Sequence, residues 1–578
     1  MRVTQARQQT PDNKRVQSWA RWRVGVWDLI NFSVACVFVC PLVLVVSLAF
    51  FPTENIWPHL LSTVLPGYIR NTLYLVAGVG AGTLFIGTST AWLVTMYRFP
   101  GRGIFEWALL LPMAIPAFIL AYVYTDLLDY AGPIQIILRH MFGWASPHDY
   151  YFPEIRSLGG ATLMLTLVLY PYIYLLARAA FLEQSGPLLE AATSLGCGPW
   201  CLFWRIALPM ARPSLAIGLA LVTMETLSDF GTVDFFSVRT LTAGIFNVWL
   251  LMGNLGGGAQ IALVLLAFIL LIVCIERYGR RQRRYHSAVG RQTPIKPIVL
   301  GGGKAFGAWL ICALPLGLGF IGPAIPLLYY TVRKFKEGWT PQFIEYTLNS
   351  LMLSCIAALC AVCIALTMAY GTSVRRGVAG SVALFAKRCA SFGYAVPGVV
   401  LGIGVLTFFS KIDEIIHGVL SLATDTPPQV WISGSLFALV LAYVIRFFTL
   451  SLGTVEAGLG RIKPSLDMAA RTLGRTPRQV MMSVHAPLMR SSLLTAVLLV
   501  FVDCMKELPL TMLLRPFNFE TLTTYIYQFA SEEKIEYSAL PSLFVVAAGI
   551  IPIILLNRST TRKYTTPRDT FGPVEGRS

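Results

Sequence analysis

The chain has 578 residues and a formal net charge of +17; 55% of it is hydrophobic and only 13% charged. A water-soluble globule has too little interior for that much apolar surface, so lipid is the expected solvent. A disordered chain and a soluble nucleic-acid binder both fit poorly, the second because the basic residues are scattered through many loops instead of forming one patch.

In chain order, a basic segment over residues 1–28 (Lys14, Arg15, Arg21, Arg23) precedes the first apolar run. That run is longer than a signal-peptide core and no small-residue cleavage site follows it, so it reads as an uncleaved membrane helix. Uncharged runs of at least nineteen residues occupy 29–51, 71–97, 107–125, 157–177, 240–275, 305–332, 347–374, 389–410, 426–445 and 537–557. Two further apolar stretches start at Pro213 and Ser491 and are interrupted by Glu225 and Asp503. A span needs roughly 20 apolar residues, so the expectation is an all-α integral membrane protein with about 12 helices. The runs are too long, and too free of alternation, for a β-barrel.

Placing the loops alternately inside and outside puts 35 of the 46 Lys and Arg in the inner set. Both termini are therefore expected in the cytosol. The basic character marks topology and contact with anionic lipid. Eleven cysteines lie in or beside apolar stretches, and the Cys360–Cys363 pair falls inside one of them, where packing explains it. The six histidines have no metal-ligand spacing.

The chain also repeats itself. At an offset of 278, Asn71-Thr72-Leu73 corresponds to Asn349-Ser350-Leu351, Leu195-Gly196 to Leu473-Gly474, Pro209 to Pro487, Glu225 to Asp503 and Asp229 to Glu507. At 281, Ala114-Ile115-Pro116 corresponds to Ala395-Val396-Pro397, and Thr240-Leu241-Thr242 to Thr521-Leu522-Thr523. The expected organisation is a cytosolic segment 1–28, a first six-span repeat 29–275, a basic linker 276–304, a second six-span repeat 305–557 and a tail 558–578. An even number of spans makes the two repeats parallel. Each repeat has one long inner loop, 178–212 and 446–490, and each reads as helix, Leu-Gly, turn, helix. Gly196 and Gly474 can take the left-handed conformation that ends a helix. Both loops are expected to project as compact elbows.

These loops carry a resemblance. Glu190-Ala191-Ala192 with Gly196 and Pro209, and Ala469-Ala470 with Gly474 and Pro487, resemble the "EAA" coupling loop of ABC importer permeases. Met468 stands where the family has Glu, and Asp467 is the nearest acid. The resemblance implies that each elbow docks into a cytosolic ATPase subunit, two copies in all, and that Mg-ATP is bound there and not by this chain. The sequence agrees that this chain is no ATPase and carries no catalytic residues. Gly303-Lys304 is followed by Ala305 and has Ile298 where a P-loop requires Gly. The G-x-G-x-x-G match over Gly317–Gly322 lies in an apolar run, where it serves close helix packing.

The interrupted helices place Glu225 and Asp229, and Asp503 and Glu507, four residues apart and so on one helical face. A carboxylate at bilayer centre costs about 2.5–3.5 kcal/mol, so these acids are expected to face the bundle interior or a water-filled cavity, or to sit nearer the outer interface; a two-fold relation between the repeats would bring the two pairs together as hard oxygen ligands for a cation. Their structural alternative is helix capping, or ion pairing with Lys506 and Arg239. The segments from Glu225 to Phe236, from Lys506 to Thr511 and from Arg515 to Leu522 are similar to the fused permeases of bacterial ferric-iron importers. That likeness implies a periplasmic ferric-binding protein, an inner-membrane location and ferric iron as transported substrate, held at most transiently at these acids. Importers of thiamine or polyamines are the nearer alternatives. An ion-driven secondary transporter, with the acids as proton relays, is the alternative from a different class.

Overall fold

The computed structural model describes residues 26–52, 54–184, 186–281, 297–374, 378–421, 431–462 and 464–564. The basic stretches 1–25, 282–296 and 565–578, and the side chain of Asp467, lie outside the described residues. Among the described residues nine helices are long and apolar enough to cross a membrane, and three bent pairs bring the number to as many as twelve.

The first repeat runs α1 (Val26–Phe50), α2 (Leu65–Met96), α3 (Arg102–Ala108), α4 (Ala117–Leu128), α5 (Leu158–Leu182), α6 (Gly186–Ser194), α7 (Leu208–Ser228), α8 (Gly231–Phe235), α9 (Leu241–Phe246) and α10 (Leu255–Arg281). The second runs α11 (Gly302–Leu316), α12 (Gly322–Arg333), α13 (Pro341–Val374), α14 (Val378–Ala390), α15 (Gly398–Leu420), α16 (Leu436–Leu459), α17 (Pro464–Thr472), α18 (Arg490–Lys506), α19 (Pro509–Leu514), α20 (Leu522–Ser531) and α21 (Ile535–Tyr564).

Two of the expected straight spans are bent. The chain turns by 91° between the Leu111–Ala114 turn and α4, and by 118° between Ser391–Ala395 and α15. Ile115 and Val396, each preceding a proline, are extended with ψ of 122° and 126°. Proline has no N–H to continue the ladder and disfavours helical geometry at the residue before it. The linker also differs from a free connector at its end: Ile298–Val299 pairs in parallel with Tyr97–Arg98.

The repeated motifs meet in space. Asn71 Nδ2 donates to the Arg239 carbonyl (3.0 Å), and Asn349 Nδ2 to that of Glu520 (3.2 Å). Thr72 Oγ1 accepts from the Leu241 amide (3.1 Å), and Ser350 Oγ from that of Leu522 (2.7 Å). Short polar residues on α2 and α13 thus satisfy backbone groups at the starts of α9 and α20, where no helical partner exists.

The two apolar cores are not the two repeats. One joins α2, α4 and α5 to α11, α20 and α21; the other joins α13, α15 and α16 to α1, α9 and α10. Each repeat therefore lends its first and last helices to the other. Lipid tails are as apolar as leucine, so close packing has to hold such helices together. Phe38 of α1 meets Phe448 edge-on at 5.2 Å, and the Tyr124 hydroxyl donates to the Leu318 carbonyl at 2.6 Å. Gly319, inside the G-x-G-x-x-G match, lies against the Leu167 carbonyl and Pro112, where a Cβ would stand 3.0 Å from each.

Candidate functional site

The elbows have matching local geometry. Helix α6 ends at Gly196 with φ +85°, and α17 at Gly474 with φ +76°. The Cys197 amide reaches back to the Ala192 carbonyl (3.0 Å), and the Arg475 amide to that of Ala470 (3.2 Å). These are the six-to-one bonds of a helix terminator that needs a left-handed residue, which glycine supplies without a Cβ penalty. Ala192 and Ala470 are buried beneath the elbows, while Ala191, Ala469 and Glu190 are exposed. Leu195 and Leu473, one residue before each glycine, are 88% and 82% exposed. Trp200 and Trp204 extend this apolar face on the first elbow and Met468 and Met482 on the second.

The elbows differ in how they join the next span. From Pro199 to Ser228 the first continues as one helix through Pro209. The second bends by 71° just after Pro487, between Leu488 and Arg490. A disulfide, Cys197–Cys201, closes the first turn; Arg475 and Gln479 take these places in the second. Cys360 and Cys363 are free and exposed.

Between the repeats lies a cavity of ≈ 150 Å³ lined by Tyr172, Glu225, Asp229, Tyr394, Arg446, Asp503, Lys506 and Glu507. All four acids of the interrupted helices line this cavity. They are not equivalent. Asp229 accepts from the Thr232 hydroxyl (3.0 Å) and from the amides of Thr232 and Val233 (3.2 Å each), capping α8. Glu507, its counterpart, accepts from the Leu510 amide (3.3 Å) at the start of α19 and pairs with Arg446 Nε at 3.3 Å. Capping residues of this kind satisfy amides that the helix cannot. Glu225 and Asp503 have fewer partners: the Tyr394 hydroxyl donates to Glu225 at 2.9 Å, and Lys506 Nζ stands 3.9 Å from Asp503. Among the described residues no three His, Cys, Asp or Glu side chains are grouped to hold a metal ion.

Arg446 corrects the loop boundaries drawn from charge. Cutting spans at ionisable residues places it at the start of an inner loop, but α16 runs on to Leu459 and Arg446 is buried inside it. Its carboxylate partner makes that position tolerable. The elbow itself begins after α16. Arg239 is exposed and makes no ion pair among the described residues; of the alternative's ion pairs, the structure has Lys506 near Asp503, and Arg446 with Glu507 where Arg239 was the candidate. Tyr172 and Tyr394 also escaped the sequence reading. The available signal was the offset of 281, which sets Tyr394 opposite Met113 beside the paired prolines.

On the side away from the elbows the repeats are joined. Tyr527 donates to Asp234, Arg156 Nη2 lies 2.5 Å from Glu533, and Tyr122 donates to the Phe529 carbonyl at 3.0 Å. On the elbow side a second cavity of ≈ 490 Å³ separates α7 from α14 and α16, and Tyr394 borders both cavities.

Paired bundles of membrane helices, a polar cavity between them and two outward-facing elbows define a membrane transport subunit. The chain belongs to the family of binding-protein-dependent transport system inner membrane components, which matches it twice, over residues 83–284 and 361–564. It is 27% identical to the Fe(3+)-transport system permease protein FbpB 2 of Haemophilus influenzae over 498 residues, 85% of this chain and 89% of that one. It is 23% identical to the ferric transport system permease protein FbpB of Actinobacillus pleuropneumoniae over 91% of this chain and 77% of the relative. One repeat's length, 35% of the chain, is 26% identical to the molybdenum transport system permease protein ModB of Escherichia coli over 87% of the latter.

Proposed function

We propose that this chain is the complete pore of an ATP-driven ferric-iron importer, both termini in the cytosol. A periplasmic binding protein would deliver the ion, and two copies of a cytosolic ATPase would drive it. The observation that carries this reading is the pair of elbows, alike in left-handed glycine, six-to-one bond and bare apolar tip. A pump driven by an ion gradient needs no such pair. Iron is favoured over an oxyanion because the cavity sets four carboxylates and two phenols against one arginine and one lysine. Hard oxygen donors suit a cation of high charge density.

Transport then follows alternating access. In this reading the side away from the elbows, joined by Tyr527–Asp234 and Arg156–Glu533, is the closed side of the resting pore. ATP closure draws the elbows together, rocks the repeats and opens the opposite side to the loaded binding protein; hydrolysis resets them. Glu225 and Asp503, whose carboxylates have the fewest structural duties, offer the ion transient oxygens. Asp229 and Glu507 hold the short helices on which the passage is built.

The test is ⁵⁵Fe uptake into proteoliposomes holding the chain, its ATPase and its binding protein. Glu225→Gln with Asp503→Asn is expected to lower uptake about tenfold or more, one such step being roughly 1.4 kcal/mol of lost stabilisation, with the complex still assembled. Uptake driven by a proton gradient without ATPase would replace this reading with the secondary transporter. ATP-driven uptake of thiamine or a polyamine instead of iron would keep the class and change the substrate.

A further inference from the structure

Each elbow has to be tied to the pore if its movement is to matter there. In the first repeat, Arg178 near the end of α5 pairs with Glu106 of α3. In the second, Glu456 near the end of α16 pairs with Lys387 of α14, Nζ to Oε1 2.5 Å. Glu106 and Lys387 are 281 residues apart and Arg178 and Glu456 are 278 apart, the two offsets of the repeat. The same pair therefore occurs twice at equivalent places, with its charges reversed.

What lies on either side of each pair is also equivalent. Behind Arg178 and Glu456 the chain runs directly into α6 and α17, the elbow helices. Ahead of Glu106 and Lys387 lie the Leu111–Ala114 and Ser391–Ala395 turns that end at the bends. Each turn then reaches the acidic helix of the opposite repeat. The Met113 carbonyl accepts from Lys506 Nζ at 3.1 Å, and the Tyr394 hydroxyl donates to Glu225 at 2.9 Å. Met113 and Tyr394 are themselves 281 apart. A second bond reinforces each tie: the Tyr174 hydroxyl to the Glu106 carbonyl (3.0 Å), and Thr449 Oγ1 to the Ser391 carbonyl (2.8 Å).

We propose that Arg178–Glu106 and Glu456–Lys387 are positioning pairs that transmit each elbow's movement to the pore-lining bend of its own repeat, and that their opposite polarity keeps each bend with its own repeat. The polarity matters because the helices are exchanged between repeats, so a bend could in principle be taken by the wrong partner. A misplaced α3 would set Glu106 against Glu456, and a misplaced α14 would set Lys387 against Arg178. Both juxtapositions repel. Discrimination of this kind comes as much from the penalty on the wrong pairing as from the right one. Three of the four side chains are two-thirds or more buried, so these contacts are less screened than surface pairs.

The coupling role rests on the ATPase-driven reading; the pairing of elbow helix with bend does not. Two measurements separate them. The first is hydrogen exchange of the full chain in nanodiscs, followed in peptides covering residues 109–117 and 390–398. Glu106→Lys is expected to speed exchange about tenfold in the first peptide and leave the second unchanged, and Lys387→Glu the reverse. Glu106→Lys with Arg178→Glu, which renews the attraction but gives both repeats one polarity, is expected to restore protection in part, since the wrong pairings no longer repel. The second measurement is the binding-protein-stimulated over basal ATPase ratio of the whole complex. It should fall about tenfold in each single reversal and recover in part in the matched double. Should a reversal prevent insertion, Glu106→Gln and Lys387→Gln remove the attraction without adding repulsion and carry the same test. Unchanged exchange in the single variants, or double variants no better than singles, would overturn the proposal. Restored protection in a complex whose wild type shows no stimulated ATPase would uphold the pairing and sink the ATP-driven function instead.

Discussion

A methyl group at Gly398 would run into Arg446 Nη1 and Glu507 Oε1, so the absence of a side chain at the start of α15 is what lets this ion pair lie flat across the helix end. The pair is nearly dry, at 9% and 6% side-chain exposure. Arg446 Nη1 is buried without a hydrogen-bond partner among the described residues. Attraction between buried charges barely offsets their desolvation, but removing one partner strands the other. Glu507→Gln is therefore expected to destabilise the chain by about 3–5 kcal/mol, and Arg446→Met by less, since Glu507 keeps the Leu510 amide. The double variant should be more stable than Glu507→Gln alone. Thermal unfolding of the four proteins in detergent checks this: a double variant that loses the full sum of the single losses would mean that the two residues act independently.

At the scale of elements, the elbow glycines report whether these loops are gripped by a partner. Nothing stands within 4 Å of a Cβ built at Gly196 or Gly474, so a side chain there meets only open space. Its cost inside the chain is the left-handed conformation, about 1–2 kcal/mol for most residues and less for Asn. Gly196→Asp with Gly474→Asp is accordingly expected to leave membrane insertion intact and to abolish stimulated ATP hydrolysis. Gly196→Asn with Gly474→Asn separates strain from obstruction: it relieves most of the strain yet still fills the space that a docked subunit would occupy. Loss of stimulation in both doubles assigns the effect to docking, whereas wild-type stimulation in both would remove the elbows from the coupling path. The elbows were legible in the sequence because glycine after leucine, at one spacing in both repeats, has a local conformational cause. The bends at Pro116 and Pro397 were not. A hydropathy run contains no charge to mark a 91° or 118° turn, and only the recurrence of an apolar residue before proline pointed to it. Arg446 was misplaced for the opposite reason, since a charge was taken to end a span that its partner allows to continue.

For the whole molecule, the exchange of first and last helices decides what the linker does. Composition fixes how many helices cross the bilayer but carries no record of which ones touch, so the two mixed cores could not be read from the chain. Helix α1 packs on α14 and α15, α11 packs on α2, α12 on α4, and the Gly317–Ile321 turn between them on α5. A single repeat, 29–275 or 305–557, is thus left without the helices that cover its core, and its exposed interior includes the close contacts of Gly404 with Pro41 and of Gly319 with Leu167 and Pro112. Packing of this sort, together with interhelical hydrogen bonds, is what associates helices in lipid. Either repeat expressed alone is expected to be degraded or to aggregate. Co-expressed fragments 1–288 and 289–578, cut within the linker, should assemble because every exchanged contact is present. Their yield should be lower, since the linker converts association into an intramolecular step at high effective concentration. Affinity purification through a tag on one fragment measures this. Recovery of both fragments with ATP-driven uptake intact is the expected result. Stable, monodisperse single repeats would show that the mixed cores contribute little to holding the pore together.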